Sequence, residues 1–136
     1  MINLHNKNGN LNIGDLCITP EMCLQDITEL KRNYDVVLAV ENGDYISYRL
    51  PNFDEGKLSF IFYFYKEKIS SLGIGLGSKY AFPPFEITEE ERREIKKLLE
   101  TIGGERNYSW GSVYYSEDSK GGSISVGIKY DSSRKG

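Results

Sequence analysis

Histidine and cysteine are scarce in this chain of 136 residues, which has one histidine and two cysteines. A Ser-His-Asp or Cys-His arrangement would depend on His5 alone. Because His5 stands in a polar, asparagine-rich segment, we expect a surface residue and predict no catalytic group. Cys17 and Cys23 have no histidine neighbours and cannot complete a zinc site. We therefore expect reduced, partly buried thiols, with no metal and no cofactor.

Long apolar runs are also missing. No run approaches the roughly 18 residues that cross a bilayer, so we expect no membrane insertion. The opening segment MINLHNKNGN has neither the apolar stretch nor the small-residue cleavage site of a secretory signal. The length fits one core. We therefore expect a cytoplasmic protein with a single domain over residues 1–136, of which 131–136 form a frayed tail.

The chain also lacks an excess of basic residues. Lysine and arginine number 17 against 20 acidic residues, a net charge of −3, which argues against nucleic-acid binding. Residues 33–56 hold five acids and one arginine, a local sum of −4. This acidic quarter indicates a basic protein partner. The alternative is that these acids only keep a β-hairpin soluble.

The carboxylate pairs of this acidic quarter do not indicate catalysis. Glu41 and Asp44 form one pair, and Asp54 and Glu55 form another. Acid–base work requires two carboxyl groups in contrasting environments within a cleft, whereas loop-tip acids are solvated. The stretch NFDEGKL also lacks the ligand spacing of a calcium loop. We therefore predict that the protein is not an enzyme.

Two amphipathic segments predict helices. In the first, Thr19 is a good N-cap and Pro20 stands where a helix tolerates proline, which predicts a helix over about 20–31. In the second, Thr88 and Glu91 form a capping box, and Gly103 follows the last apolar position. This pattern predicts a helix over about 88–102.

The segment YDVVLAVENGDYISYRL predicts a β-hairpin with Asn42-Gly43 as its turn, because both central positions of a type I′ turn need positive φ. This loop would pair Glu41 with Asp44 and set two carboxylates side by side. The core-facing residues would be Val37, Ala39, Ile46, Tyr48 and Leu50. Val36, Leu38 and Val40 would lie on the opposite face, which is apolar enough to be a candidate for coverage by another surface.

The segment KLSFIFYFYKEKISSLGIGLG predicts a second hairpin. The side chains that alternate onto its core face are Phe60, Phe62, Phe64, Leu72 and Ile74. A three-residue turn, Lys66-Glu67-Lys68, pairs Phe62 with Leu72, whereas a two-residue turn would put the two apolar sets on opposite faces. We expect outer-face tyrosines to lie over Gly73 and Gly75.

The last hairpin completes the predicted fold. Its second strand alternates cleanly, with Ile124, Val126, Ile128 and Tyr130 inward, and Trp110 is expected to be a half-buried cover of the core. The predicted class is α+β: a twisted, mostly antiparallel sheet of about six strands with two helices packed on one face. The predicted element order is α-β-β-β-β-α-β-β.

The chain resembles small bacterial immunity proteins of polymorphic or contact-dependent growth-inhibition toxin systems. The features that carry this resemblance are IGDLCITPEMCLQDI near the start and YSWGSVYYSEDSKGGSISVGIKY near the end. The resemblance covers most of the chain as an outline and transfers no binding residues. It implies a cytoplasmic protein that occupies and blocks the active site of a cognate toxin domain.

The residues themselves add a surface to that implication. A nuclease toxin has a basic groove, and an acidic protein gains fast, steered association with it. Tyrosines are good anchors. The predicted partner-binding residues are Glu41, Asp44, Tyr45, Asp54, Glu55, Tyr114, Glu117 and Asp118. The main alternative function is a small-ligand or lipid-binding domain, with an apolar pocket between sheet and helices lined by Phe60, Phe62, Phe64, Leu72 and Ile74. A third possibility is a subunit of a larger assembly, which a large apolar patch on the outer face of the sheet would mark.

Overall fold

A computed structural model of the protein describes residues 2–77, 86–118 and 123–131. The sequence also predicts a loop at Pro83-Pro84 and a turn in EDSKGG. Residues 78–85 and 119–122, and the tail at 132–136, lie outside the described residues. Within the described residues there are two helices and ten strands. The helices are α1 (Asp26–Asn33) and α2 (Glu89–Thr101). The strands are β1 (Ile2–Leu4), β2 (Leu11–Ile13), β3 (Leu16–Ile18), β4 (Val37–Asn42), β5 (Tyr45–Phe53), β6 (Leu58–Tyr65), β7 (Lys68–Leu76), β8 (Arg106–Tyr108), β9 (Gly111–Asp118) and β10 (Ser123–Tyr130).

The strands form two antiparallel sheets. The larger has seven strands in the order β4-β5-β6-β7-β10-β9-β8, and the smaller has the order β1-β2-β3. The predicted α+β class is confirmed, but the count of about six strands and the element order are wrong. The missed strands are β1, β2, β3 and β8, each three residues long. A strand this short contains too few residues for alternation to be recognised.

One face of the large sheet carries the core. Its fully buried side chains include Phe60, Phe62, Phe64, Leu72, Ile74, Val126 and Ile128. Helix α2 packs on β10, β7 and β9 through Ile95 and Leu99. In α1, the Nζ of Lys31 lies 5.2 Å from the ring centre of Tyr48, the register partner of Phe62. Both helices therefore lie on the core face, which leaves the other face, here called the outer face, free of described helices.

Helix α1 begins six residues later than predicted, at Asp26 rather than Pro20. The backbone N–H of Leu24 donates to the carbonyl of Glu67, and the N–H of Ile69 donates to the carbonyl of Met22. Cys23 forms an isolated bridge with Lys68. Because residues 22–24 pair with the turn between β6 and β7, they cannot adopt the helical hydrogen bonds that Thr19 and Pro20 indicated.

The β4–β5 hairpin turns one residue later than predicted. Asn42 pairs with Tyr45 and Glu41 pairs with Ile46, so the loop is Gly43-Asp44 and the two acids are not opposed. Gly43 has a φ of +62°, which glycine adopts without strain. A bulge at Ala39 shifts the register. As a result Val37 and Ala39 are exposed and Val36 is buried, each the reverse of the prediction. Of the other residues assigned to the core, Leu50 is fully buried, whereas Ile46 and Tyr48 are half-buried.

The β6–β7 hairpin has the predicted register but a different turn. Phe62 pairs with Leu72 and Phe60 pairs with Ile74, as predicted. The loop has two residues, Lys66 and Glu67, and the third residue that the register needs is a bulge at Ser70. Lys66 and Glu67 have φ of +49° and +70°. The hydrophobic pattern therefore predicts the register of the two strands. It does not distinguish a three-residue loop from a two-residue loop followed by a bulge.

Trp110 is fully buried, so the prediction of a half-buried cover is wrong. Its Nε1 donates to the carbonyl of Asn6 at 2.8 Å, and its ring stacks on Tyr108 with centroids 4.8 Å apart. Gly9 lies against the indole as well, where an added Cβ would be 2.6 Å from Cδ2. The indole is thus enclosed by the segment between β1 and β2. The predicted inward side chains of β10, which are Ile124, Val126, Ile128 and Tyr130, are all buried.

Candidate partner-binding face

The outer face of the large sheet holds most of the exposed large apolar side chains. Tyr45 is 62% exposed, Val40 56%, Tyr63 42%, Tyr65 39% and Tyr114 38%. Four of these five belong to β4, β5 and β6, which are neighbours at one edge of the sheet. An exposed apolar cluster of this kind makes this face a candidate surface for a partner.

A cleft lies within this cluster. Val40, Ser47, Tyr63 and Ser71 are successive register partners on β4, β5, β6 and β7, so large and small side chains alternate across the strands. The resulting depression has a volume of about 360 Å³, and its lining also includes Tyr45 and Ser70. We call it the corner cleft. The cleft can accept one apolar or aromatic side chain of a partner.

The tyrosines around the corner cleft are held by their neighbours. The rings of Tyr45 and Tyr65 have centroids 4.8 Å apart, and the Nζ of Lys66 lies 5.5 Å from the ring centre of Tyr65. The two rings are tilted by 41° to each other, an aromatic contact that contributes about 0.5–1.5 kcal/mol beyond the area it buries. Tyr45 and Tyr65 therefore form one contact pair on the outer face.

Tyr114 lies on the same face, farther along the sheet. Its ring covers Gly127, where a Cβ atom would collide with the ring. The predicted cover over Gly73 and Gly75 is wrong, because the nearest atoms to a Cβ at those positions belong to serine side chains and backbone. Burial, with a smaller contribution from Tyr63, raises the pKa of Tyr114. Tyr114 therefore stays neutral and presents a flat ring.

The predicted acidic residues do not form one continuous surface. Glu41 and Asp44 lie at the corner-cleft end of β5, where the carbonyl of Asp44 accepts the N–H of Lys66 at 2.9 Å. Asp54 and Glu55 follow the other end of this nine-residue strand, which places them about 27 Å away. Their φ values are +55° and +59°, so they occupy a tight turn.

Glu117 is engaged within the fold. Its carboxylate accepts Arg92 Nε at 3.1 Å and Nη2 at 3.0 Å, and it accepts the Tyr115 hydroxyl at 2.7 Å. The hydrogen bonds from Arg92 first, and from Tyr115 second, lower the pKa of Glu117 from 4.5 to about 2. Glu117 therefore joins β9 to α2 on the core face. Asp118 ends β9.

The structure also shows residues that the predicted site omitted. Val40, Tyr63 and Tyr65 are prominent on the outer face, although none was among the predicted partner-binding residues. Strand alternation alone put Tyr63 and Tyr65 outward. What was missing was the strand order, which places β6 directly beside β5 and so joins these rings to Tyr45.

The described residues contain few features of a catalytic or metal site. His5 is exposed, and its Nε2 lies 3.0 Å from Asn12 Nδ2. Within residues 2–77, 86–118 and 123–131, no three His, Cys, Asp or Glu side chains are grouped to hold a metal ion. Cys17 and Cys23 are free thiols, and Cys17 is exposed rather than partly buried. Neither described helix is long and apolar enough to cross a membrane.

Comparison with known proteins yields a match in structure but not in sequence. No family model matches the chain. No curated protein matches it either. One chain of the solved structure described as "Rhs1-CT in complex with cognate immunity protein RhsI1" shares the fold, with a TM-score of 0.65 and 14% identity. The match covers 98% of this chain and 90% of that chain. The resemblance noted from the sequence is therefore confirmed at the level of the fold.

Proposed function

We propose that this chain is an immunity protein, which binds a cognate bacterial toxin domain and neutralises it. The observation that carries this proposal is the fold shared with a chain of a complex between a toxin domain and its immunity protein, over nearly the full length of both chains. The protein acts by binding rather than by catalysis, and it does so in the cytoplasm, where an incoming toxin would act.

The finer proposal is that the chain covers the active site of a toxin with a cationic substrate groove, such as a nuclease. Its support is the run from Tyr34 to Tyr45, which carries three acids and no base. A groove that binds phosphates is basic, and opposite charge accelerates encounter. An inhibitor that fills the groove also excludes the nucleic acid.

The contact residues are proposed from their place on the outer face or at the hairpin end beside it. Glu41, the register partner of Ile46, lies on the opposite face and, with Asp44 in the loop, supplies charge at the end of the β4–β5 hairpin. Tyr45 and Tyr114 supply flat anchors on the outer face. Val40, Tyr63 and Tyr65 belong to the same surface and join the proposed set. Asp118 borders the face at the end of β9. Asp54, Glu55 and Glu117 lie apart from it, so any contact through them would require a partner that reaches around the sheet.

The alternative function needs a ligand pocket between sheet and helices, and the side chains at that place are packed in the core. Of the proposed lining residues, Phe60, Phe62, Phe64, Leu72 and Ile74, none is more than 1% exposed. All five belong to one cluster of buried side chains that also includes residues of both helices. These side chains are therefore already in contact with protein.

The proposed function is tested by co-expression. The partner to use is the C-terminal domain of any large secreted protein encoded directly upstream of this chain. Growth arrest caused by that domain should be relieved by this chain and not by an unrelated immunity protein, and the two proteins should elute as a stable complex. Addition of equimolar chain should abolish nucleic-acid cleavage by the domain. Continued arrest, with no complex on mixing, would refute the proposal.

A further inference from the structure

The two edges of the large sheet are protected to different degrees. β8 forms one edge and is three residues long, whereas β4 forms the other with six residues, all exposed. An edge strand presents unpaired N–H and C=O groups, and proteins usually shorten, charge or cover such strands. Among the described residues, β4 pairs only with β5. Within the part of the chain that the structure describes, the β4 edge is therefore open along six residues.

The side chains of β4 are apolar on both faces of the sheet. Val40 is 56% exposed on the outer face beside the corner cleft, and Leu38, the register partner of Tyr48, is 50% exposed on the other face. A strand added at this edge would cover both side chains while it paired with the backbone. A partner that only lay flat on the outer face would leave Leu38 in water.

The chain segment that contains β4 carries charge of one sign. Asp35, Glu41 and Asp44 lie between Tyr34 and Tyr45, and this run contains no lysine or arginine. Bases lie on neighbouring elements: Arg49 pairs with Val37, Lys66 adjoins Asp44, and Lys31 of α1 lies over Tyr48, the register partner of Leu38. Glu41 is the charged residue of β4 itself, so a cation on a neighbouring strand would meet it directly.

These three observations identify the kind of partner. Building on the proposed function, we propose that the cognate toxin domain adds one of its own strands to β4. That strand carries alternating apolar side chains and a lysine or arginine that reaches Glu41. Backbone pairing supplies the common part of the affinity, and the side chains on the two faces supply selectivity. The corner cleft receives a side chain from the same or an adjoining segment.

The first test is amide hydrogen exchange of the unmodified protein, alone and with the purified upstream toxin domain. In an added-strand complex, the outward-facing amides of Val37–Asn42 should exchange about tenfold or more slowly than in the free protein. The amides of Arg106–Tyr108, at the other edge, should not change. This measurement needs no substitution and so does not depend on the folding of a variant.

The second test compares one added lysine at each edge. Val40→Lys places a cation on β4, where it opposes strand addition and repels a basic partner. It should weaken toxin binding by about tenfold or more. Asn107→Lys makes the same change in charge on β8 and should leave the dissociation constant within about twofold. Circular dichroism of both variants establishes that each is folded.

The outcomes separate this inference from the proposed function. A stable complex in which the β4 amides exchange as in the free protein would overturn strand addition and leave the immunity function intact. Failure of the unmodified chain to form any complex would remove both. Protection of the β4 amides that grows with the concentration of the chain alone would assign the edge to a second copy, which also overturns the inference.

Discussion

At the scale of single residues, Gly9 and Trp110 restrict each other. Gly9 has a φ of +79°, and a Cβ placed on it would lie 2.6 Å from Cδ2 of the buried indole. The indole also donates a hydrogen bond to the carbonyl of Asn6, so a shift away from a Cβ at position 9 would cost that bond. Gly14 offers a matched contrast, since it has a φ of +57° and a Cβ added there would have no neighbour within 4 Å.

The first prediction follows from this contrast. Gly9→Ala should lower the free energy of unfolding by about 2–4 kcal/mol, from left-handed strain plus overpacking against Trp110. Gly14→Ala should cost about 1 kcal/mol, from strain alone. Urea denaturation of both variants measures the difference. Equal losses would mean that the Trp110 environment tolerates a methyl group.

The second prediction concerns Glu41 and Asp44, under the proposed function. Reversal of both charges, as Glu41→Lys with Asp44→Lys, should slow association with the toxin domain by about tenfold at low salt and reduce its salt dependence. Stopped-flow mixing measures the rate. The control, Glu90→Lys with Glu100→Lys on α2, changes the net charge equally. Identical rates for the two double variants would show that total charge, not this end of the sheet, steers the encounter.

At the scale of elements, α2 is joined to β9 by charge as well as by packing. Arg92 bridges Glu89 of its own helix and Glu117 of the strand, and Lys96 lies over the ring of Tyr115. Burial first, and the bond to Glu117 second, raise the pKa of Tyr115 to about 12. The network is thus fully formed through the neutral range.

The third prediction is the pH dependence of this network. Because the folded-state pKa of Glu117 is about 2 and its usual value is 4.5, its contribution to stability is complete above about pH 4.5 and is lost as the pH falls toward 2. The melting temperature of Glu117→Gln should therefore be below that of the unmodified protein at neutral pH and converge with it near pH 2. Glu90→Gln, an exposed residue of α2, serves as control. A pH-independent difference would exclude the charge pair as its cause.

The fourth prediction uses the strained β6–β7 loop. Lys66→Asn with Glu67→Gly installs the residues that type I′ geometry favours and should raise the free energy of unfolding by about 1 kcal/mol. Lys66→Gln with Glu67→Gln makes the same change in charge without relieving the backbone and should have little effect. Urea midpoints compare the three proteins. A loss of stability in the Asn-Gly variant would show that the side chains of Lys66 and Glu67 contribute more than their backbone strain costs.

The same scale shows what the sequence could predict. Helix α2 was predicted to within a residue because its cap is local, with Thr88 Oγ1 accepting the N–H of Glu91. Helix α1 was not, because residues 22–24 pair with a turn some 45 residues later in the chain, which no local pattern reveals. The register of β6 and β7 was predictable from alternation. The bulge at Ala39 was not, and it decided which side chains of β4 face outward.

At the scale of the whole molecule, the two sheets and two helices share one cluster of buried side chains. Leu11, Ile13 and Ile18 of the small sheet are at most 3% exposed. The small sheet therefore completes the core. The candidate site could not be predicted at this scale, because the positions of Tyr45, Tyr63 and Tyr65 relative to one another depend on strand order.

The fifth prediction is that the described parts unfold together. Trp110 reports on the junction between the small sheet and β9, so its fluorescence and the far-ultraviolet circular dichroism should give coincident thermal transitions. Tyr130→Phe, which keeps the ring beside Trp110 and removes a buried hydroxyl, serves as a control for the local environment. A fluorescence transition that precedes the circular dichroism would show that the small sheet separates first.

The bulge at Ala39 has a consequence for recognition between related systems. A strand that pairs with β4 must accommodate the bulge, so a partner strand without a matching irregularity would lose hydrogen-bond register halfway along. The position of a bulge can thus determine which strands pair, independently of the side chains. We expect that two such protein pairs could share every contact residue and still fail to cross-protect if their irregularities fall at different places along the strand.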